Sequence, residues 1–209
     1  MSAILGLINF DKRVDMNSLI QKAKDSIKIR PGQLTIKVDR DSFHINSLNN
    51  FIENQENNNL IEDQDGYLIN FDGKIDNQEI FKIFLKNRHC NSDAANVLKL
   101  YRYDKTKISK LSGSFSFVIY YKKTQQVEAY RDQLGIRPLY YFYNNSLLVY
   151  STDPELIFID PKIKKEINKN KVIFYILKGN RKNDETFYKN IFRLRRSNFL
   201  RIQNKNMQI

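Results

Sequence analysis

The sequence predicts a single α+β domain with largely antiparallel sheets, and three observations carry that prediction. Short strand-like segments, apolar throughout or alternating with polar residues, come in blocks rather than one for one with helices. Two helical segments follow one another between those blocks, which is the order of an α+β layered fold and not of a parallel crossover fold. Finally, residues 111–141 hold two strand patterns ended by the corner Arg131-Asp132-x-x-Gly135-x-x-Pro138. In that corner Gly can supply a positive φ and Pro a fixed one before the chain re-enters a strand at Leu139, so it reads as buried and rigid.

The elements follow in order. Residues 3–10 are a short apolar run with one glycine, read as a buried strand. Residues 15–29 place Met16, Leu19, Ile20, Ala23 and Ile27 on one face of a helix, which Pro31-Gly32 stops. Residues 34–38 and 42–48 alternate as half-buried strands do, and residues 49–59 are a polar loop rich in Asn and Glu. A strand over residues 67–71 is closed by Asp72-Gly73, after which Asn77 caps a helix running to about residue 87. A second helix starts from Ser92 as N-cap and carries Val97, Leu98 and Tyr101. Strands over 114–121, beyond the polar break at 122–126, and over 147–151 lead to a short helix with Pro154 in its first turn. Residues 172–177 are apolar without a decided type, and residues 199–202 are strand-like.

Composition bounds the class. A chain of 209 residues with 41% hydrophobic content, 14 Phe and 12 Tyr can bury a sizeable core. No apolar run approaches the ~20 residues of a membrane span, and the first ten residues carry no basic n-region of a signal peptide, so the expectation is a cytoplasmic protein without a membrane partner. Cys90 is the one cysteine, which excludes an internal disulfide. With His44 and His89 as the only imidazoles, no metal site is expected and no cysteine-histidine dyad assembles. No glycine-rich phosphate loop is present, so no cofactor is expected in this chain, and ATP with magnesium would have to be bound elsewhere. The net charge of +12 is concentrated: residues 161–209 hold 14 Lys or Arg against three Asp or Glu, a balance of +11. That quarter is either a nucleic-acid or acidic-partner surface or a solvated face, and the lack of a basic-aromatic stacking module argues against nucleic acid.

Residues 111–141, LSGSFSFVIYYKKTQQVEAYRDQLGIRPLYY, resemble the N-terminal class II glutamine amidotransferase domain of the asparagine synthetase family. There a strand reading leucine, x, glycine, x, phenylalanine, alanine, phenylalanine precedes arginine, aspartate, x, x, glycine, x, x, proline, leucine, tyrosine, tyrosine. The run 187–196 is similar to that family's connection to its last strands, with Arg195 and Arg196 in place of two prolines. The resemblance extends from Met1 to about residue 202. It implies an N-terminal nucleophile hydrolase fold, a four-layer sandwich of two antiparallel sheets between helix layers.

The same resemblance locates the chemistry, and there this sequence departs. The family begins methionine, cysteine, glycine, isoleucine, phenylalanine, glycine; this chain begins Met1-Ser2-Ala3-Ile4-Leu5-Gly6, placing Ser2 at the nucleophile position. Such enzymes use the nucleophile's own α-amine, with pKa near ~8, as the base, and removal of Met1 would free it. A serine hydroxyl is a poorer nucleophile than a thiol of pKa ~8.5. The segment 69–77 resembles asparagine, glycine, glutamate, isoleucine, tyrosine, asparagine, whose first asparagine and glycine amide form the oxyanion hole. Gly73 is kept, but Asp72 replaces the asparagine; the dipeptide also reads as a simple turn. Ser92-Asp93 matches the pair whose aspartate holds the substrate α-amino group, and Asp93 is equally a favourable acid at a helix N-terminus. The arginine that clamps the α-carboxylate is missing from the matching stretch 43–48, and Arg30-Pro31-Gly32-Gln33 scrambles a second substrate loop.

Three glutamine-handling positions are lost and two kept. The expected function is therefore a degenerate glutaminase, similar to those of β-lactam synthetase-like ligases, with a structural or docking role beside an ATP-dependent synthetase domain in the same or another chain, past residue 209 if in this one. A homodimer is compatible with the sequence. Two alternatives stand beside this: an active N-terminal serine amidohydrolase using Ser2, and a basic nucleic-acid adaptor.

Overall fold

Strand β1 (Ala3–Asn9) is buried at all seven positions, a consequence of lying in the interior of a sheet that is covered on both faces. Its side chains alternate: Ile4 and Ile8 enter one core, Leu5 and Leu7 another. The computed structural model describes residues 3–11, 16–28, 33–48, 59–179 and 184–209. Helix α1 (Met16–Lys28) lays Met16, Leu19, Ile20, Ala23 and Ile27 on the Leu5 and Leu7 side, as its spacing predicts. β2 (Gln33–Val38) and β3 (Ser42–Leu48) then form a hairpin, and β3 pairs antiparallel with β1.

The second sheet begins with β4 (Leu60–Glu62) and β5 (Tyr67–Ile75). Helices α2 (Glu79–Leu85) and α3 (Asp93–Asp104) follow, then β6 (Gly113–Tyr121) and β7 (Gln126–Arg131). The chain returns to the first sheet with β8 (Tyr140–Tyr143) and β9 (Leu147–Ser151), and a 3-10 turn at Pro154–Ile159 is capped by Asp153. Helix α4 (Lys169–Lys178) precedes β10 (Phe192–Arg193), β11 (Phe199–Gln203) and β12 (Asn206–Gln208). The sheets run β10-β8-β9-β1-β3-β2 and β12-β11-β7-β6-β5-β4, with every pairing antiparallel.

Three cores define four layers. One, including Ile4, Val118, Leu148, Tyr150 and Leu200, lies between the sheets. A second joins the first sheet to α1 and the 3-10 turn after β9. The third joins Phe71, Phe115 and Phe117 of the second sheet to α2 and α3. This is a four-layer α+β sandwich, helix layers outside and two antiparallel sheets inside, as the resemblance implies. A void of about 10 Å³, near the size of a single water, remains in the central layer and is lined by apolar side chains.

Three expectations need correction or completion. Asp72-Gly73 does not end a strand: β5 continues to Ile75, with Asp72 opposite Ser116 and Gly73 opposite Phe115. Gly73 is required there by space and φ together, since a Cβ would come within 2.0 Å of the Ser114 carbonyl oxygen at φ +124°. Asn77 does not cap α2, whose N-cap is Gln78, a residue that makes no capping bond with its side chain. Instead Asn77 donates to the Lys110 carbonyl and accepts from the Ser112 amide, tying the start of α2 to the approach to β6. The apolar residues 172–177 are helical. The strands β4, β10 and β12 had no counterpart in the sequence reading; each is only two or three residues long.

Candidate functional site

Side-chain alternation directs a stripe of polar groups into the space between the sheets. On β3, Phe43 and Ile45 face α1, so His44 and Asn46 face inward. On β5, Ile69 and Phe71 face α2 and α3, so Asn70 and Asp72 face inward. All four are buried. Asn46 donates from Nδ2 to Asn70 Oδ1 at 2.9 Å and to the Phe71 carbonyl at 2.8 Å. Asn70 in turn donates to the carbonyls of Leu5 and Ile45 and to the Tyr150 hydroxyl. These bonds stitch one sheet to the other beside β1. Tyr150 closes the stripe: its ring lies over Gly6, where an added Cβ would meet ring atoms at 2.2 Å, and its hydroxyl shares a 2.7 Å hydrogen bond with His44 Nδ1. Burial, reinforced by Lys122 and Lys37, lowers the His44 pKa to about 3, so the ring is neutral.

The stripe ends at Asp72, next to Gly73. Its carboxylate lies 3.8 Å from Arg137 Nη1, with Asp72 almost wholly buried and Arg137 about one-third exposed. Arg137 is delivered there by the corner. Arg131 donates through Nε, Nη1 and Nη2 to the carbonyls of Arg137, Leu194 and Gly135. Asp132, fully buried, accepts from the amides of Ile136 and Arg137. Gly135 takes φ +71°, the left-handed conformation the motif anticipates. Both charged residues of the corner therefore act on backbone, and the outcome is a fixed position for residue 137.

Asp93 sits in the first turn of α3 behind the Ser92 cap. One carboxylate oxygen accepts from the Ile75 amide at 2.8 Å, the other from Gln78 Nε2 at 2.7 Å. It thereby fixes the end of β5 to the start of α2, two residues past Gly73. Ser2 and the segment Arg30-Pro31-Gly32 lie outside the described residues, as does the loop over residues 49–58. Ala3, the residue to which Ser2 is joined, pairs with Ser47 at the same end of β1 and β3 as Asn46. Of the named site residues, the structure places Asp72 and Gly73 together and Asp93 on the adjoining corner. His89 and Cys90 lie beside the start of α3, where Asn96 and Lys99 contact the Cys90 thiol. No group of three or more His, Cys, Asp or Glu residues suited to a metal ion occurs among the described residues.

Sequence reasoning missed Arg137, Asn46 and Asn70. Arg137 occupies a variable position of the corner motif, and only the geometry of Arg131 and Asp132 reveals where it points. Asn46 lies in the very stretch searched for an arginine, and its inward direction is implied by the alternation with Phe43 and Ile45.

The fold and the site end of β1 and β5 define a glutamine amidotransferase-type sandwich. Two solved structures share it: glutamine phosphoribosylpyrophosphate amidotransferase from B. subtilis matches 99% of this chain and 48% of its own length at TM-score 0.59 and 15% identity. An allosteric regulatory enzyme of purine biosynthesis matches 99% and 42% at TM-score 0.55 and 15% identity. The chain belongs to the glutamine amidotransferase domain family, whose profile matches residues 1–209. Among curated proteins, the putative glutamine-hydrolysing asparagine synthetase 2 of Methanocaldococcus jannaschii is 30% identical over 138 residues, 63% of this chain and 26% of its own. Asparagine synthetase 3 of Bacillus subtilis is 26% identical over 110 residues, 50% of this chain and 18% of its own. The chain thus matches about a quarter or less of the length of these two relatives. No helix among the described residues is long and apolar enough to cross a membrane.

Proposed function

We propose that this domain has lost glutaminase chemistry and serves an asparagine synthetase-related, amide-forming ligase as a structural or docking part. The observation that carries the proposal is Asp72. At the position where the resemblance puts an oxyanion-hole amide, the chain carries a buried carboxylate held beside Arg137. An oxyanion hole works by donors aimed at developing negative charge, and losing one costs roughly 3 kcal/mol. A carboxylate there adds repulsion to the lost donor; two like charges 4 Å apart at an effective dielectric of 20 oppose each other by about 4 kcal/mol. Asn46 where the carboxylate-clamping arginine is sought, and Asp93 with both oxygens engaged by Ile75 and Gln78, support the same reading.

The partner in this proposal is an ATP-dependent synthetase domain, in this chain or another, and ATP and magnesium belong to that domain. The test is ammonia release from glutamine by purified protein with Met1 removed. No release above a Ser2→Ala control is expected; release that Ser2→Ala abolishes would overturn the proposal. Covalent labelling of Ser2 by an electrophilic amide or diazo-ketone probe would instead favour a serine amidohydrolase with another substrate.

A further inference from the structure

The corner at residues 131–138 turns two aliphatic side chains out to water on a rigid support. Leu134 is 72% exposed and Ile136 is 57% exposed. Beneath them, Arg131 donates to the Gly135 and Arg137 carbonyls, and Asp132 accepts from the Ile136 and Arg137 amides. Gln133 donates to the Leu111 carbonyl, which ties the tip of the corner to the approach to β6 as well.

A second turn, residues 195–198, is built against the corner. The Ser197 amide donates to the Asp132 carbonyl, and the Arg131 amide donates to the Asn198 carbonyl. Arg196 stands so close to Gly135 that a Cβ on the glycine would come within 3.0 Å of the Arg196 Cβ. Gly135 lies between Leu134 and Ile136 in the chain, so an exposed guanidinium side chain starts next to both exposed aliphatic residues. Arg195 is exposed too and pairs with Asp184, whereas Arg196 has no carboxylate partner among the described residues. The surface is cationic because its nearest acids face inward: Asp132 and Asp72 are buried, while the Arg137 side chain is about one-third exposed. Arg195 and Arg196 stand where the resemblance puts two prolines, so this charge belongs to the chain itself and not to the shared scaffold.

Exposed aliphatic side chains beside an unpaired cation, on a support already ordered, favour binding: little entropy is lost on docking, and the charge selects the partner. We propose that the corner and the turn at 195–198 form a docking surface for an acidic protein segment, which packs apolar side chains on Leu134 and Ile136 and sets a carboxylate against Arg196. Nucleic acid is disfavoured, because single-stranded bases bind by stacking on aromatic rings and the centre of this surface is aliphatic. A membrane is disfavoured because Leu134 and Ile136 together bring fewer carbons than one myristoyl chain, which alone holds a protein only marginally. A second copy would set a net charge of +12 against another of +12. The inference rests on the docking reading for the partner's role but not on the loss of glutaminase, since an active domain could carry the same surface.

The experiment places a photo-crosslinking amino acid at Leu134, and separately at the exposed Lys123 as a control, in the full chain expressed in its own cells. Expected from position 134 and not from 123 is one peptide adduct, from another protein or from a segment of the same chain outside residues 1–209, that holds Asp or Glu among apolar residues. Arg196→Glu should lower the adduct yield about tenfold or more, because it sets like charges face to face. Reversing the mapped carboxylate to a lysine should restore the yield in that background. The yields are compared in protein with the parent's urea midpoint; Arg196→Ala, with a smaller drop, substitutes where the Glu variant shifts that midpoint. Adducts with lipid, with nucleic acid, with a second copy or with an assortment of unrelated proteins overturn the proposal. So do no adduct, a contact peptide without a carboxylate, a yield that the Arg196 variant leaves unchanged, or one that the charge reversal fails to restore. Each of these outcomes is independent of the ammonia-release result.

Discussion

Acidification should destabilise this fold through His44, and the magnitude can be worked from its surroundings. The ring is buried between the sheets beside Tyr120 and Tyr150, and its Nε2 has no hydrogen-bond partner among the described residues. Asn70 donates to the Tyr150 oxygen, which leaves the phenol proton free to be given to His44 Nδ1. Protonating that nitrogen would forfeit this bond and leave a cation in the core near Lys37 and Lys122. Those lysines are themselves paired with Glu62 and Asp39. The folded pKa of about 3 lies below the unfolded value of 6.5, so the unfolded chain binds the extra proton as pH falls. His44 therefore carries no penalty above about pH 6.5, and stability declines below it until the pH reaches the folded value. At about pH 5 the loss is ~2 kcal/mol, from 1.5 units at 1.36 kcal/mol each. Any folded pKa below about 4.5 gives nearly the same figure in this window. A loss of that size is a large part of the 5–15 kcal/mol typical of a domain.

The assay is urea unfolding near pH 7 and near pH 5 for the parent and for His44→Gln, which keeps an acceptor for the Tyr150 hydroxyl without a titrating ring. Titrating groups distant from residue 44 are common to both proteins and cancel in the comparison. The parent should lose ~2 kcal/mol more than the variant between the two pH values. Parallel losses, equal within about 0.5 kcal/mol, would refute the reasoning.

Three further outcomes are expected. Gly73→Ala puts a Cβ against the Ser114 carbonyl at a φ of +124°, so it should lower stability by more than about 3 kcal/mol in chemical unfolding. Arg131→Lys cannot serve the carbonyls of Gly135, Arg137 and Leu194 together; a cost of about 2–4 kcal/mol and a lower urea midpoint should follow, and an unchanged midpoint would contradict the structural role of the corner. Asp72→Asn should leave ammonia release from glutamine at the Ser2→Ala background, because the carboxylate-clamping arginine is still missing; measurable release would show Asp72 to be the single obstacle.

The fold was legible because its signals are local and repeated. The spacing of Met16, Leu19, Ile20, Ala23 and Ile27 fixes the buried face of α1, Ser92 caps α3, and Pro154 stands in the first turn of the 3-10 segment. The strand boundary at Asp72-Gly73 was misread because this dipeptide is common in turns, whereas here the glycine is needed for close approach to β6. Asn77 was misread for a similar reason, its side chain being used between segments 33 and 35 residues apart. The site was legible only in part. Asp72 and Asp93 could be singled out by type and position, but nothing local reveals that Asp93 spends both oxygens on Ile75 and Gln78. Residues 172–177 read from the sequence only as apolar, and nothing local reveals that Ile173, Ile176 and Leu177 of α4 are exposed.

The corner at residues 131–138 links the scaffold to the carboxylate at position 72. A buried carboxylate at position 72 needs a cation close by, since an isolated ion in the interior is expensive. Arg131 and Asp132 bind the backbone around residue 137 from both sides, and the side chain they position is a guanidinium facing Asp72. In this chain the corner therefore sets a compensating charge against the strand that carries Asp72. On the proposed reading, Arg137 offsets part of the cost of a carboxylate in the middle of β5, and the same carboxylate supplies no donor to an oxyanion.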